Sequence, residues 1–182
     1  MDDEAVVAAM RQWVEKAVIG LNLCPFAKAV YVKNQVRFVV SRAAHLDGLL
    51  EDLDRELDFL AAADPDDVDT TLLIHPALLA DFLDFNDFLQ LAEAAVGEHG
   101  LDGVIQIASF HPRFQFEGTA PDDIGNFSNR APFPTLHLLR EASIEKAVAA
   151  FPEAETIYQR NIETLEKLGH EGWDALWKKT ER

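Results

Sequence analysis

The chain of 182 residues is 48% hydrophobic and carries a formal net charge of -16. This length and apolar content predict one globular domain spanning residues 1–182. The acidic charge argues against nucleic-acid binding, which depends on lysine and arginine meeting phosphates. No apolar run reaches about 18 residues, which argues against a membrane span. The acidic start lacks signal-peptide features, and a single cysteine allows no intramolecular disulfide, so we expect a cytoplasmic protein.

Helical periodicity dominates the start of the chain. Apolar residues recur at three- and four-residue spacing, so residues 3–20 are predicted to form a helix that stops near Gly20 and Asn22. The following stretch, AVYVKNQVRFVVS, alternates and is rich in β-branched residues. This pattern predicts a β-hairpin that turns at Lys33 and Asn34 and adds an antiparallel edge to the sheet.

The middle of the chain alternates strand and helix patterns. HLDGLLEDLDRELDFLAAA and LLADFLDFNDFLQLAEAAVGEHG are typical of amphipathic helices, whereas TTLLIHP and GVIQIASFHP are typical of short buried strands. Strand–helix–strand units favour parallel strands. We predict an α/β sandwich with a three- to four-stranded, mostly parallel sheet and an antiparallel hairpin edge. An α+β fold with a mixed sheet is the alternative. The C-terminus is predicted to be helical, with Ser143 as an N-cap and a break within residues 169–172.

A long connection follows the last apolar strand. Residues 111–141 contain four prolines and are predicted to be an ordered loop without regular structure. Such connections are uncommon in compact domains unless they are functional. Residues 42–99 hold fifteen acidic residues and two arginines, a net charge of -13, whereas residues 105–142 carry a net charge of -1. We expect the loop to be the functional segment, held to the protein by half-buried phenylalanines (Phe114, Phe116, Phe127 and Phe133).

Two predicted strands end in His-Pro, at His75 and His111. Proline cannot donate to a strand ladder, so it ends the strand. The carboxyl ends of parallel strands share one edge, which is where open α/β folds bind ligands. We therefore predict that both histidines lie at one edge of the sheet. The alternative is that each only caps its strand, although His111 also opens the long loop.

The loop and the residues after it supply amide and guanidinium donors. Asn126, Asn129, Arg130 and Arg140 are the predicted substrate-binding residues, because amides orient a ligand and arginine donates two parallel hydrogen bonds to an anion. His137 would share one side with Arg140 if this segment is already helical. The alternative is that the two arginines pair with acidic residues of their own chain.

Three residues are catalytic candidates. His111 and His137 are candidates for acid–base chemistry, and Cys24 for a nucleophile. In LNLCPFA, Pro25 would begin a helical turn with Cys24 near its N-terminus, a position that lowers a thiol pKa. The alternative is a buried structural cysteine. Cys24, His111, His137 and Glu141 are ligand types that suit zinc, but their spacing matches no tight motif, so no metal site is predicted and the cofactor stays open.

Five segments of the chain are similar to one known family. They are WVEKAVIGLNLCPFA, DTTLLIHP, FLDFNDFL, SFHPRFQFEGTAPDDIGNFSNRAPFPTLHLLREASIEKAV and YQRNIETLEKLGHEGW. On these motifs the chain resembles, over residues 11–177, the bacterial family known as domain of unknown function 1415. The resemblance implies no particular activity, substrate or cofactor.

Three functional hypotheses follow from these features. The first is an enzyme acting on a small anionic metabolite in a pocket between the strand ends and the 111–141 loop. The second is a ligand-binding module that uses the same pocket without turnover. The third is a protein-interaction domain whose acidic helices meet a basic partner. Convergence of Cys24, His111, Arg130 and His137 on one concavity would favour the first two hypotheses, and their scatter would favour the third. The oligomeric state stays open.

Overall fold

The computed structural model describes residues 1–178, in which helices pack on both faces of a four-stranded sheet. This confirms the predicted α/β class. Within the described residues, no helix is both long and apolar enough to cross a bilayer. The elements in chain order are α1 (Asp3–Trp13), a π-helical turn (Val14–Ile19), α2 (Ala27–Val32), β1 (Val36–Val40), α3 (Leu46–Ala62), β2 (Thr70–Ile74), α4 (Phe82–Glu98), β3 (Ile105–Phe110), a 3-10 helix (Ile124–Asn129), β4 (Thr135–Arg140), α5 (Glu141–Ala150), a 3-10 turn (Ala154–Thr156) and α6 (Ile157–Ala175).

The strand order is β1-β2-β4-β3. β1 is parallel to β2, whereas β4 is antiparallel to both β2 and β3. The pairings are therefore mostly antiparallel, and the predicted mostly parallel sheet is wrong. The reason is β4, which lies between the two strands that the strand–helix–strand pattern would make neighbours. β2 and β3 still run in the same direction, because Ile74 and Phe110 both pair with Thr135.

The predicted hairpin over residues 29–41 is also wrong. The turn is where the sequence places it, with Asn34 at φ 56°, but it joins helix α2 to strand β1. Tyr31 of α2 packs against the core under α1, and its hydroxyl donates to Glu15 Oε1 at 2.6 Å. Burial and hydrogen bonding of this kind outweigh the β propensity of a short segment. β1 forms the edge of the sheet as a parallel strand.

The loop predicted to lack regular structure contains a 3-10 helix and β4. Residues 135–140 form a central strand, which leads directly into α5. Because α5 starts at Glu141, Ser143 is not the N-cap; its Oγ instead donates to Asp69 Oδ1 at 2.6 Å. The predicted burial of the loop phenylalanines is confirmed, since all four are partly buried: Phe114, Phe116, Phe127 and Phe133.

The long helices lie where the periodicity predicts them. α3 and α4 fall within the two amphipathic stretches, and α1 continues through the π-helical turn to Ile19. The predicted C-terminal break is at Gly169, whose φ of 67° and ψ of 174° interrupt α6. This positive φ favours glycine, which has no Cβ to clash with the backbone.

Two apolar cores lie on opposite faces of the sheet. α3 and α4 cover Leu73, Leu136 and Leu138 on one face. α1, the π-helical turn and α6 cover Leu72 and Ile74 on the other. Successive side chains of a strand point to opposite faces, so a strand covered on both sides is apolar throughout. The five residues of β2 are accordingly all buried.

Candidate functional site

His75 and His111 lie at the same edge of the sheet, as the His-Pro motifs predict. β2 and β3 both end opposite Thr135, and His75 N donates to Pro134 O at 3.1 Å. Both imidazole rings pack against Phe85 of α4, with centroid distances of 5.7 Å for His75 and 5.0 Å for His111. β4 separates the two strands, so the histidines share an edge without lying on adjacent strands.

Both ring nitrogens of His111 are engaged by the main chain. Nε2 lies 2.9 Å from Leu79 O, and since a carbonyl only accepts, Nε2 carries the hydrogen. Arg113 N donates to Nδ1 at 2.9 Å. The ring is neutral, and burial lowers its pKa. It holds Leu79 at φ 61°, a left-handed conformation that is rare for leucine. No nitrogen of this ring is free to transfer a proton to a ligand.

His75 supports the same segment. Its Nδ1 donates to Leu78 O at 3.3 Å, and the residue is 1% exposed. Burial lowers the pKa of His75 to about 4, which keeps the ring neutral at physiological pH. Its Nε2 has no hydrogen-bond partner among residues 1–178. The two neutral histidines therefore fix the chain between β2 and α4 against the sheet edge.

His137 lies in the middle of β4, on the sheet face opposite Phe85. Thr70 Oγ1 donates to Leu138 O at 2.7 Å, so the hydrogen in the 2.6 Å contact between Thr70 Oγ1 and His137 Nε2 comes from the histidine. Exclusion of water lowers the pKa of His137 to about 4. The partly buried ring packs against Phe110, with centroids 5.9 Å apart.

Arg140 lies at the far end of β4, opposite Ile105 at the start of β3. Its Nη2 donates to Ala63 O at 3.0 Å and Val68 O at 2.8 Å, on the connection between α3 and β2. Because residues 137 and 140 lie on a strand, they point to opposite faces, and the predicted shared helical side is wrong. The structure does not bring Arg140 together with Arg130.

The two asparagines organise the loop. Asn126 is fully buried; its Oδ1 accepts from Phe116 N at 2.9 Å, and its Nδ2 donates to Ala120 O at 2.8 Å. Asn129 Nδ2 donates to Ser109 O of β3 at 3.2 Å. Both side chains form hydrogen bonds with the loop or with the adjacent strand β3, so they position the loop.

A cavity of about 310 Å³ lies where the loop meets α1 and the C-terminal end of α6. All three tryptophans of the chain line it, and among its lining residues Arg130 alone is charged. Since Pro112 directly follows His111, the cavity is next to the predicted edge. The lining residues are Trp13, Pro112, Phe127, Arg130, Ala131, Pro132, Trp173 and Trp177.

The aromatic walls of the cavity pack edge to face. The Phe127 and Trp173 ring centroids are 5.3 Å apart at an interplanar angle of 89°, and those of Trp173 and Trp177 are 5.5 Å apart at 70°. Lys16 Nζ donates to Leu176 O at 2.7 Å and ties this end of the chain to the first helical segment. The tryptophans were not predicted as a site from the sequence. The spacing of Trp173 and Trp177 indicates a shared helix face, but it is equally typical of a core.

Arg130 extends over the Phe127 ring, with its Cζ 4.3 Å from the ring centroid. Its Nε donates to Phe114 O at 3.1 Å, and Nη2 donates to Pro121 O. These bonds occupy two of the five N–H groups of a guanidinium. Burial and then the positive charge of Arg113 lower the pKa of Arg130. Neither Arg130 nor Arg140 forms a salt bridge with a carboxylate of residues 1–178.

Cys24 is not among the residues that line the cavity. It lies just before α2, where Ala27 N donates to Cys24 O at 3.3 Å in the predicted turn, and the nearby backbone N–H groups of Phe26 and Ala27 act to lower the thiol pKa. Burial is the larger effect and raises the pKa of the Cys24 thiol, the reverse of what a nucleophile needs. In the described part of the chain, no group of three or more histidine, cysteine or acidic residues is placed to hold a metal ion.

Cys24 is therefore expected to alkylate slowly in the folded protein. A raised thiol pKa leaves little thiolate at pH 7.5, so iodoacetamide should react on the order of tenfold more slowly than with the unfolded chain. Mass spectrometry of a time course in buffer and in urea measures both rates at this single cysteine. Sodium sulfate should leave the native rate unchanged. Equal rates in the two conditions would show an accessible, reactive thiol.

A family model described as "Protein of unknown function (DUF1415)" matches residues 5–175. The matched range includes Trp13, Arg130 and Trp173. The chain matches no curated protein and no solved structure. Because the match covers nearly the whole chain, the protein belongs to this family, and the resemblance of its motifs is confirmed.

Proposed function

We propose that this member of the DUF1415 family binds a small organic anion in the tryptophan-lined cavity, with Arg130 contacting the anionic group. The observation that carries the proposal is the position of Arg130. Its charge lies in the wall of an otherwise uncharged cavity, and no carboxylate of residues 1–178 pairs with it. A charge that is partly removed from water is costly unless it is paired, and an anionic ligand supplies that pair.

The neighbouring Arg113 adds to the local positive potential. It is exposed, and its charge lowers the pKa of Arg130, so the two guanidinium groups repel each other. An anion relieves this repulsion. The rest of the chain is strongly acidic, with a net charge of -13 over residues 42–99, and repels anions at long range. Direct contacts at Arg130 must therefore supply the affinity. Salt screens the long-range repulsion between the acidic chain and the anion, but it weakens short-range contacts much less.

Of the two hypotheses that use a pocket, this geometry supports binding without turnover. Both nitrogens of His111 are bonded to the main chain, His137 bonds Thr70 and packs against Phe110, and the pKa of the Cys24 thiol is raised. Of the four residues whose convergence was the criterion, only Arg130 lines the cavity, so they do not converge, and by that criterion alone the protein-interaction hypothesis is favoured. The charge of Arg130 in the cavity wall, with no carboxylate of residues 1–178 paired to it, is the observation that supports ligand binding instead. The enzyme hypothesis is left without an acid, a base or a nucleophile among the cavity's lining residues.

Small carboxylates, phosphate or sulfate are expected to raise the melting temperature of the protein. A ligand at about 100 times its Kd stabilises the folded state by about 2.7 kcal/mol. For a chain of this size, that corresponds to a shift of about 5–10 °C. Differential scanning fluorimetry or calorimetry with sodium acetate, phosphate and sulfate measures the shift, with sodium chloride at matched ionic strength as the reference.

Arg130→Ala should remove most of this shift, and Arg130→Lys should retain part of it, because lysine keeps the charge and loses the planar fork. The matched control is Arg160→Ala. Arg160 also lies near a phenylalanine, with its Cζ 5.8 Å from the Phe151 centroid, but it does not line the cavity. The proposal fails if chloride reproduces the whole shift or if Arg130→Ala retains it.

A further inference from the structure

We infer that the anion held by Arg130 is a carboxylate carried on a planar aromatic ring, and that the tryptophan-lined cavity receives the ring. This inference rests on the proposed function and specifies its ligand class. It starts from the composition of the walls. Four aromatic side chains and two prolines surround the space, beside one alanine and Arg130. Such walls offer apolar and π surface and few polar partners, so the part of the ligand within the cavity must be apolar.

The packing of the aromatic walls favours a planar aromatic ligand. Phe127, Trp173 and Trp177 pack edge to face in series, with interplanar angles of 89° and 70°. Aromatic rings attract one another in offset-stacked and edge-to-face arrangements, which add about 0.5–1.5 kcal/mol to area burial. A ring entering beside Trp177 can join this series. A saturated ring of equal size fills the same volume without the interaction of π-systems.

The volume of the cavity suits one small ring system. Ligand pockets commonly span about 300–1,000 Å³, so a cavity of about 310 Å³ is at the small end of that range. A rigid ring also loses less conformational entropy on binding than a flexible chain with the same number of carbons. Both considerations favour a compact aromatic acid over a fatty acid.

The charge of the site favours a carboxylate over a phosphate monoester. Arg130 already donates from Nε and from Nη2 to carbonyls, which leaves three of its five N–H groups for a ligand. A carboxylate carries one negative charge, whereas a phosphate monoester carries about two. In a chain with a net charge of -16, the additional charge increases the long-range repulsion. A singly charged carboxylate can accept from the remaining N–H groups of Arg130 and meets less repulsion from the acidic chain than a phosphate monoester does.

The test compares benzoate with cyclohexanecarboxylate, which have the same number of carbons and the same charge. Isothermal titration calorimetry of the wild-type protein should give a Kd for benzoate about tenfold lower than for cyclohexanecarboxylate. Trp177→Leu should abolish this preference, and Trp177→Phe should restore most of it. Trp177 is partly exposed, and the melting temperature of each variant without ligand checks its folding. The matched control is Tyr158→Leu, which removes an exposed aromatic residue of α6 outside the cavity and should keep the preference.

The outcomes separate this inference from the proposed function. If both acids bind equally and Arg130→Ala removes both, the aromatic preference is wrong and anion binding stands. If neither acid binds, the proposed function fails, and this inference fails with it. If benzyl alcohol binds as tightly as benzoate, the cavity accepts rings without Arg130, which also overturns the inference. If Tyr158→Leu and Trp177→Leu reduce the preference equally, the cavity does not hold the ring.

Discussion

Lowering the pH from 7 to 4 is expected to reduce the free energy of unfolding by on the order of 6 kcal/mol. His75 and His137 have pKa values of about 4 in the folded protein, against 6.5 for an ordinary histidine. Their folded-state pKa values are lowered, so the unfolded chain binds protons first, and stability falls as the pH drops below 6.5 toward 4. The lowered pKa of His111 acts in the same direction. The loss corresponds to about 3 kcal/mol for each of His75 and His137.

His99 acts in the opposite direction. Its Nδ1 and Nε2 lie 2.8 and 2.9 Å from carboxylate oxygens of Asp58 and Asp54, and these contacts raise its pKa. Its stabilising contribution is complete below pH 6.5 and is lost as the pH rises through the raised value. Because solvent screens exposed pairs, this contribution is the smaller one.

Urea unfolding at half-unit steps from pH 4 to pH 8 measures the balance of these histidines. His137→Gln should reduce the slope of the free energy of unfolding against pH by the equivalent of about one proton. A free energy of unfolding that stays constant or rises as the pH falls from 6.5 to 4.5 would contradict the prediction.

Asn126→Ala is expected to lower stability by about 3 kcal/mol and the melting temperature by roughly 6–12 °C. Asn126 is 0% exposed, and the substitution leaves Phe116 N and Ala120 O without the partners that they have in the folded loop. Unpaired groups in a buried position cost more than the mean value of a hydrogen bond. Because Asn126 lies in the 3-10 helix that leads to Arg130, the melting shift produced by anions should also decrease.

Thermal unfolding with and without sodium sulfate measures both effects of Asn126→Ala. The matched control is Asn86→Ala, at an exposed asparagine of α4, which should change the melting temperature by less than about 2 °C. Similar melting temperatures for the two variants would show that the loop does not depend on Asn126.

The candidate site could be predicted only in part. The loop, the shared edge of His75 and His111, and the choice of Arg130 as a candidate follow from local features of the sequence. The roles of Asn126 and Arg140 do not, because their partners are main-chain groups that folding brings near them. The tryptophan-lined cavity could not be predicted either, since Trp13 and Trp173 come from opposite ends of the chain and meet only when α1 and α6 pack on one face of the sheet.

The positions of α1, α3, α4, β2 and β3 follow from apolar periodicity, which depends only on neighbours along the chain. The common direction of β2 and β3 follows from the strand–helix–strand order. Three features could not be predicted from the sequence: Leu136 and Leu138 belong to a central strand, residues 27–32 form a helix, and the sheet is mostly antiparallel. Strand pairing and cavity walls depend on contacts between distant segments, and such contacts override the weak local preferences of short apolar stretches.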